Sequence, residues 1–239
     1  MEQGNLQRKI LIVIPAFNEQ HNISKVIYDV RESIPDSDIL VINDCSQDAT
    51  SATARKSEGV KVVDLPYNLG IGGAVQTGFM YAHAHDYDFM VQIDGDGQHM
   101  PKEVDKLFLT MSRTGADMVI GSRFLDIKSF RTSWTRRLGI KVFYVLFRLL
   151  IQTKVTDSTS GFRIYNRKSI QLLSKHYPDD YPEPDAIILL KKHGLHICEV
   201  GVEMRQREHG SSSITPIKSP YYMMKVILSI LFSYTRTRW

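Results

Sequence analysis

Cysteine is scarce in this chain. Among 239 residues there are only Cys45 and Cys198. They lie far apart and lack metal-ligand spacing, which excludes a disulfide framework and a structural zinc centre. Both read as reduced packing residues of a cytosolic protein. No apolar leader is expected, because Met1 to Lys9 is polar. Long hydrophobic runs are missing too. The longest candidate, Tyr221–Tyr234, is short of the roughly 20 residues that cross a bilayer. No Gly-x-Ser-x-Gly elbow is present, which argues against an α/β serine hydrolase. A Walker-type phosphate loop is absent as well. Gly70-Ile-Gly72-Gly73 approaches a dinucleotide fingerprint, but Val75 stands where the third glycine belongs and the run follows the third strand rather than the first. Excess charge is small, 30 Lys and Arg against 26 Asp and Glu, and its placement matters more than its size. There is no internal repeat or low-complexity linker.

What is present is an alternation. Ile10–Ile14, Ile39–Ile42, Val60–Val63, Phe89–Ile93 and Met118–Ile120 are short apolar β-rich runs that read as buried parallel strands. Between them Asn22–Ser33, Ala49–Ser57, Gly72–Ala84 and Pro101–Thr114 carry helical periodicity, with Pro101 suited to a first turn. That rhythm predicts right-handed crossovers and an open, mostly parallel α/β sheet flanked by helices. The length suits one large α/β domain or one domain with a short appendage.

Ligands of such sheets bind outside the carboxyl ends of the strands, and polar residues stand at those ends. Pro15-Ala-Phe-Asn18-Glu19 follows the first strand, Asn43-Asp44-Cys-Ser46 the second, Asn68-Leu-Gly70 the third. The fourth delivers Asp94-Gly-Asp96-Gly-Gln98-His99. Two carboxylates two residues apart can face one side. Together with an amide oxygen they are hard donors suited to Mg²⁺ or Mn²⁺ bound with a diphosphate. A lone Asp-Gly pair is often only a turn, and Asn43, Asp44, Ser46 or Asp48 could each cap a helix. An EF-hand reading fails, since His99 and Asp105 occupy the positions that need Gly and Glu. Four successive strand ends bearing acids and amides fit a nucleotide cleft better than four separate caps.

These motifs resemble family 2 of the glycosyltransferases. They run from Ile12-Val-Ile-Pro-Ala-Phe-Asn-Glu19 through Val41-Ile-Asn-Asp44-Cys-Ser46, Asn68-Leu-Gly-Ile-Gly-Gly-Ala74, Gln92-Ile-Asp-Gly-Asp-Gly-Gln98 and Gly121-Ser-Arg-Phe124. Later come Asp157-Ser-Thr-Ser-Gly-Phe-Arg163, Tyr181-Pro-Glu-Pro-Asp185 and Arg207-Glu-His-Gly-Ser-Ser212. Within the family the chain is similar to polyprenyl- and dolichyl-phosphate glycosyl synthases. The resemblance implies the GT-A nucleotide-diphospho-sugar transferase fold over 1–213, with 214–239 as an apolar C-terminal helix. It implies that Pro15, Ala16, Phe17, Glu19, Asp44, Asn68, Gly73, Asp94, Arg207 and Ser212 bind the donor, with Asp44 on the base and Arg207 on the diphosphate. Asp94, Asp96 and Gln98 would hold Mg²⁺ or Mn²⁺. Relatives often have Lys after the Gly-x-Ser element, where this chain has Ser213.

The implied reaction is inverting displacement at an anomeric carbon. A lipid phosphate acceptor is already anionic, whereas a sugar hydroxyl needs a base, for which Asp157 and Asp185 are the candidates. Asp157 could instead cap its Asp-Ser-Thr-Ser loop. Arg123, Arg131, Arg136 and Arg137 precede the apolar stretch Leu138–Ile151, and of these Arg123, Arg136 and Arg137 are the expected acceptor-phosphate contacts. Tyr221–Tyr234 is flanked by Lys218, Lys225, Arg236 and Arg238. Such a segment suits an interfacial helix on anionic lipid, with a core or oligomer helix as the alternative. The leading reading is a peripheral enzyme on the inner face of the cell membrane. It moves a sugar from a nucleotide donor, UDP-glucose or UDP-N-acetylhexosamine favoured because the Tyr-Pro-Glu-Pro-Asp segment resembles bacterial UDP-sugar enzymes, to polyprenyl phosphate. GDP-mannose stays open as donor. The second reading is a transferase acting on a saccharide hydroxyl in surface-polysaccharide assembly, and the third a non-enzymatic nucleotide-sugar binding module. Nucleic acid is not an expected partner.

Overall fold

The computed structural model describes residues 8–125, 144–178, 181–206 and 219–235. Five strands stand where the apolar runs predict them: β1 (Ile10–Ala16), β2 (Asp38–Asn43), β3 (Val60–Asp64), β4 (Phe89–Gln92) and β5 (Met118–Ser122). The helices between them are α1 (Ile23–Ser33), α2 (Thr50–Ala54), α3 (Gly70–Ala84) and α4 (Val104–Thr114), the last entered by a 3₁₀ turn at Pro101–Glu103. Each follows from local chemistry. In α1 the buried residues Ile23, Val26, Ile27 and Val30 recur at helical spacing on one face. α4 stops at Gly115, whose φ of +65° is the left-handed turn glycine tolerates best.

The C-terminal half adds four elements that periodicity did not reveal, set between the two apolar stretches expected as helices, Leu138–Ile151 and 214–239. A helical segment, α5, covers residues 144–151, within the expected Leu138–Ile151 stretch. It is followed by β6 (Arg163–Asn166), α6 (Arg167–His176), α7 (Pro182–Lys192) and β7 (Ile197–Gly201), and then α8 (Ser219–Thr235). α6 starts where the Asn166 side chain accepts a hydrogen bond from the Ser169 N–H.

The strands form one seven-stranded sheet in the order β3-β2-β1-β4-β6-β5-β7. All neighbours pair parallel except β6, which lies antiparallel between β4 and β5. β1 therefore leads outward to β2 and β3 on one side, and the chain returns to its other side at β4. Between the carboxyl ends of β1 and β4 the direction of winding reverses, and a crevice opens there. Side chains alternate across the sheet. Leu11 and Val13 face a core shared with α3, α5, α6, α7 and α8, while Ile12 and Ile14 face one shared with α1, α2 and α4.

Candidate active site

The crevice is a cavity of about 800 Å³ lined by Pro15, Ala16, Phe17, Asn18, Glu19, Asp44, Asn68, Gly70, Ile71, Ala74, Asp94, Gly95 and Asp96. Four strand ends thus supply one pocket. The loops after β1 and β2 are clipped together: the Asn18 N–H donates to Ser46 Oγ at 2.9 Å, and Asn18 Oδ1 accepts from the Gln47 N–H at 2.8 Å. Both Asn18 and Cys45 have φ near +57°, a backbone state uncommon outside glycine. Asp44 is 3 % exposed. Its Oδ1 accepts from the Leu69 N–H at 2.7 Å, and Asn68 donates to its carbonyl at 3.2 Å. Burial pushes the Asp44 carboxyl above its ordinary value, opposed by the Leu69 and Gly70 N–H groups. The first turn of α3 faces the same cavity through Gly70, Ile71 and Ala74.

Asp94 and Asp96 leave β4 on the opposite wall. The Gly95 N–H donates to the Pro15 carbonyl at 3.2 Å, and a Cβ at Gly95 would lie 3.0 Å from that oxygen, so glycine sets how closely the two walls meet. Asp96 Oδ1 accepts from the Gln98 N–H at 3.0 Å. Asp94 Oδ1 accepts from Gln92 Nε2 at 3.3 Å, and the Asp94 N–H donates to His99 Nδ1 at 3.0 Å. Among the described residues no group of three or more His, Cys, Asp or Glu side chains gathers as a closed metal cage. Two carboxylates on a cavity wall suit a hard cation that takes its remaining ligands from diphosphate and water, which is how Mg²⁺ is ordinarily held.

Of the residues the sequence singles out, Pro15, Ala16, Phe17, Glu19, Asp44, Asn68, Asp94 and Asp96 come together here. Gly73 does not line the cavity; its missing Cβ makes room for Leu69, which would lie at 2.4 Å. Gln98 is also outside the lining, tied by its carbonyl to the Arg205 N–H at 2.8 Å. Arg131, Arg136, Arg137, Arg207 and Ser212 lie outside the described residues.

Asp157 and Arg123, expected as a base and a separate acceptor cation, bind each other instead. Arg123 Nε donates to Asp157 Oδ2 at 2.7 Å and its Nη2 to Oδ1 at 2.6 Å, and the Arg123 N–H adds a third contact at 3.0 Å. The Asp157 side chain is fully buried and that of Arg123 is 18 % exposed. Burial works against the Arg123 charge, and the Asp157 carboxylate outweighs it. Glu199 anchors the same loop from β7 by accepting from the Thr156 and Asp157 N–H groups at 2.7 and 2.8 Å. Asp185 is buried on α7, and its Oδ2 accepts from Ser229 Oγ of α8 at 2.6 Å. Neither Asp157 nor Asp185 lines the cavity.

Sequence reasoning missed Asn18, Gly70, Ile71, Ala74 and Gly95 as lining residues, although all sit inside the quoted motifs. It also missed Gly161. A Cβ there would lie 2.9 Å from both Asp94 carboxylate oxygens and from Gln92 Nε2, so a bare backbone is needed behind Asp94. Arg163, fully buried, holds that backbone in place through the carbonyls of Ser158, Ser160 and Glu183.

A mostly parallel sheet with a strand-end carboxylate pair in its crevice fits the GT-A fold of glycosyltransferases. The family description Glycosyl transferase family 2 matches residues 11–173, and the chain belongs to that family of glycosyltransferases. An undecaprenyl-phosphate mannosyltransferase of Micrococcus luteus is 31 % identical over 218 residues, covering 87 % of this chain and 88 % of the relative. A UDP-N-acetylglucosamine–dolichyl-phosphate N-acetylglucosaminyltransferase of Methanococcus voltae is 28 % identical over 228 residues, covering 87 % and 90 %. The fold matches glucosyl-3-phosphoglycerate synthase from Mycobacterium tuberculosis, solved with Mn²⁺, UDP and phosphoglyceric acid. The TM-score is 0.70 at 22 % identity, over 95 % of this chain and 78 % of that one.

Proposed function

We propose that this glycosyltransferase moves a sugar, with inversion, from a nucleoside-diphosphate donor to polyprenyl phosphate at a membrane surface. The observation that carries the acceptor assignment is the placement of the acids. Asp94 and Asp96 line the cavity, whereas the two candidate bases do not: Asp157 pairs with Arg123, and Asp185 accepts from Ser229 of α8. A hydroxyl acceptor would need a carboxylate at the sugar to take its proton; a phosphate oxygen is anionic at neutral pH and needs none. The names of the Micrococcus luteus and Methanococcus voltae relatives, both polyprenyl-type phosphate enzymes, support the same reading.

Asp44 accepts from an N–H edge of the base, and Pro15, Phe17 and Glu19 wall the nucleotide. Asp94 and Asp96 would hold Mg²⁺ or Mn²⁺, which would supply electrostatic stabilisation of the departing diphosphate. Arg207, which lies outside the described residues, is the proposed cationic partner of the diphosphate. The acceptor phosphate oxygen attacks the anomeric carbon opposite the leaving group, forming one C–O bond as the bond to diphosphate breaks. UDP-glucose or UDP-N-acetylhexosamine is the favoured donor. The mannosyltransferase name of the Micrococcus luteus relative supports a GDP-mannose reading as the alternative.

Asp185→Asn tests whether this candidate acid acts as a base. It keeps the shape that meets Ser229 and removes only the carboxylate charge. With a phosphate acceptor, turnover stays within several-fold of wild type. A loss of roughly two orders of magnitude or more, the usual contribution of a general base, would favour a saccharide hydroxyl.

A further inference from the structure

We propose that His99 is a positioning residue that orients the Asp94 carboxylate for the divalent cation. The inference rests on the cation reading above and goes beyond it by naming what sets the geometry of that ligand.

The loop after β4 turns back through Gly97, φ +76°, and brings the His99 ring beneath the residue five positions upstream. Nδ1 accepts the Asp94 N–H at 3.0 Å. A neutral ring with an acceptor at Nδ1 carries its hydrogen on Nε2. That nitrogen lies 3.6 Å from Asp94 Oδ2, close enough for a modest approach to make a hydrogen bond. The ring thus holds the backbone of Asp94 and stands beside its carboxylate. Gln92 Nε2 meets the other oxygen, Oδ1, at 3.3 Å, and the Gly161 backbone closes the third side. One carboxylate oxygen thus accepts from Gln92 and the other has the His99 ring edge within 3.6 Å. The Asp94 side chain remains 33 % exposed on the cavity side.

His99 itself is well fixed. Its side chain is 5 % exposed, and its ring stacks on Phe162 with centroids 5.0 Å apart and planes at 21°. Its backbone pairs with Met204 in an antiparallel bridge, and the next contact is the Gln98 carbonyl with the Arg205 N–H. The chain segment that leads to Arg207 is thus docked on the same loop. A core histidine needs only packing; this one spends a ring nitrogen on the backbone of a cation ligand. Outer partners of this kind set ligand orientation, and their loss commonly costs about 10- to 100-fold in metal affinity.

The test is calorimetry of UDP binding with and without Mn²⁺, on the full chain. His99→Phe keeps an aromatic ring against Phe162 but removes the Nδ1 acceptor and the nitrogen beside Oδ2. It is expected to bind UDP without metal as wild type does, and to need about 10- to 100-fold more Mn²⁺ for the metal-dependent gain. His99→Gln, which can still offer an amide N–H to the carboxylate, should recover much of that loss. In turnover the defect should appear as a raised Mn²⁺ requirement, with kcat largely restored at saturating metal. Folded His99→Phe protein with wild-type Mn²⁺ dependence would reduce the ring to packing and overturn the proposal. If His99→Phe does not fold, His99→Asn decides: it can accept from the Asp94 N–H but is too short to reach the carboxylate, so unaltered Mn²⁺ dependence there overturns the proposal equally. A wild type whose UDP binding ignores Mn²⁺ would instead bring down the cation reading and this inference with it.

Discussion

At the scale of single residues, Asp94 and Asp96 reach the cavity while Asp157 and Asp185 do not. Asp96→Ala removes a partly exposed loop carboxylate that contributes little to the core. It should abolish transfer while leaving thermal stability nearly unchanged, and EDTA should do the same to wild type until Mg²⁺ or Mn²⁺ is restored. Full activity in chelator would contradict the cation role. Arg123 and Asp157 should behave differently. Removing one partner of a buried, bidentate pair strands the other charge, at a cost of about 3–5 kcal/mol. Arg123→Ala and Asp157→Ala should therefore both unfold at markedly lower denaturant. Wild-type stability in either variant would show that the pair is not intact in solution. Gly161→Ala is the third case. Its Cβ would press on Asp94 from behind, so Mn²⁺-dependent UDP binding should weaken while metal-free binding holds, as calorimetry would show.

The C-terminal helix is the element whose role reaches outside the fold. α8 buries Ile230 in the core of the α3 side and rests on α7 through the Ser229–Asp185 hydrogen bond. Its other face exposes Met224, Leu228, Leu231 and Phe232, and α5 exposes Val145 and Leu149. Among the described residues no helix is long and apolar enough to cross a membrane. With Lys225 and Arg148 on the same helices, an interfacial site on anionic lipid is the proposed role of these faces. Phe232, 72 % exposed, offers the cleanest probe. Phe232→Asp should change folding stability by no more than about 0.5 kcal/mol yet sharply reduce sedimentation with anionic vesicles at low salt. Undiminished sedimentation would remove α8 from the membrane surface.

Across the whole molecule, the first five strands and their helices were legible because each is an apolar run bounded by turn residues, and the strand-end rule then located the cavity. The second half was harder for identifiable reasons. β6 is only Arg163–Asn166, contains a buried arginine and runs against its neighbours, so neither hydrophobicity nor α/β rhythm marks it. α7 opens with Pro182 and Pro184, which read as a loop until Pro182 is placed in the first turn. β7 carries Glu199, a charge in a strand, because that carboxylate caps loop N–H groups. The Asp157–Arg123 pair was hidden for a related reason. The two lie 34 positions apart in sequence, and only the β5–β6 pairing brings their loops together. Individual motifs were visible; which charges cancel each other was not.

The central claim, transfer to a lipid phosphate, is tested most directly by product partition. The protein is incubated with polyprenyl phosphate, Mn²⁺ and, in parallel, radiolabelled UDP-glucose, UDP-N-acetylglucosamine and GDP-mannose, and the mixture is extracted with butanol. The account predicts enzyme-dependent label in the butanol phase with one of these donors, released as free sugar by mild acid and absent with Asp96→Ala. Label that stays in the aqueous phase with all three, while a saccharide acceptor becomes labelled, would contradict it.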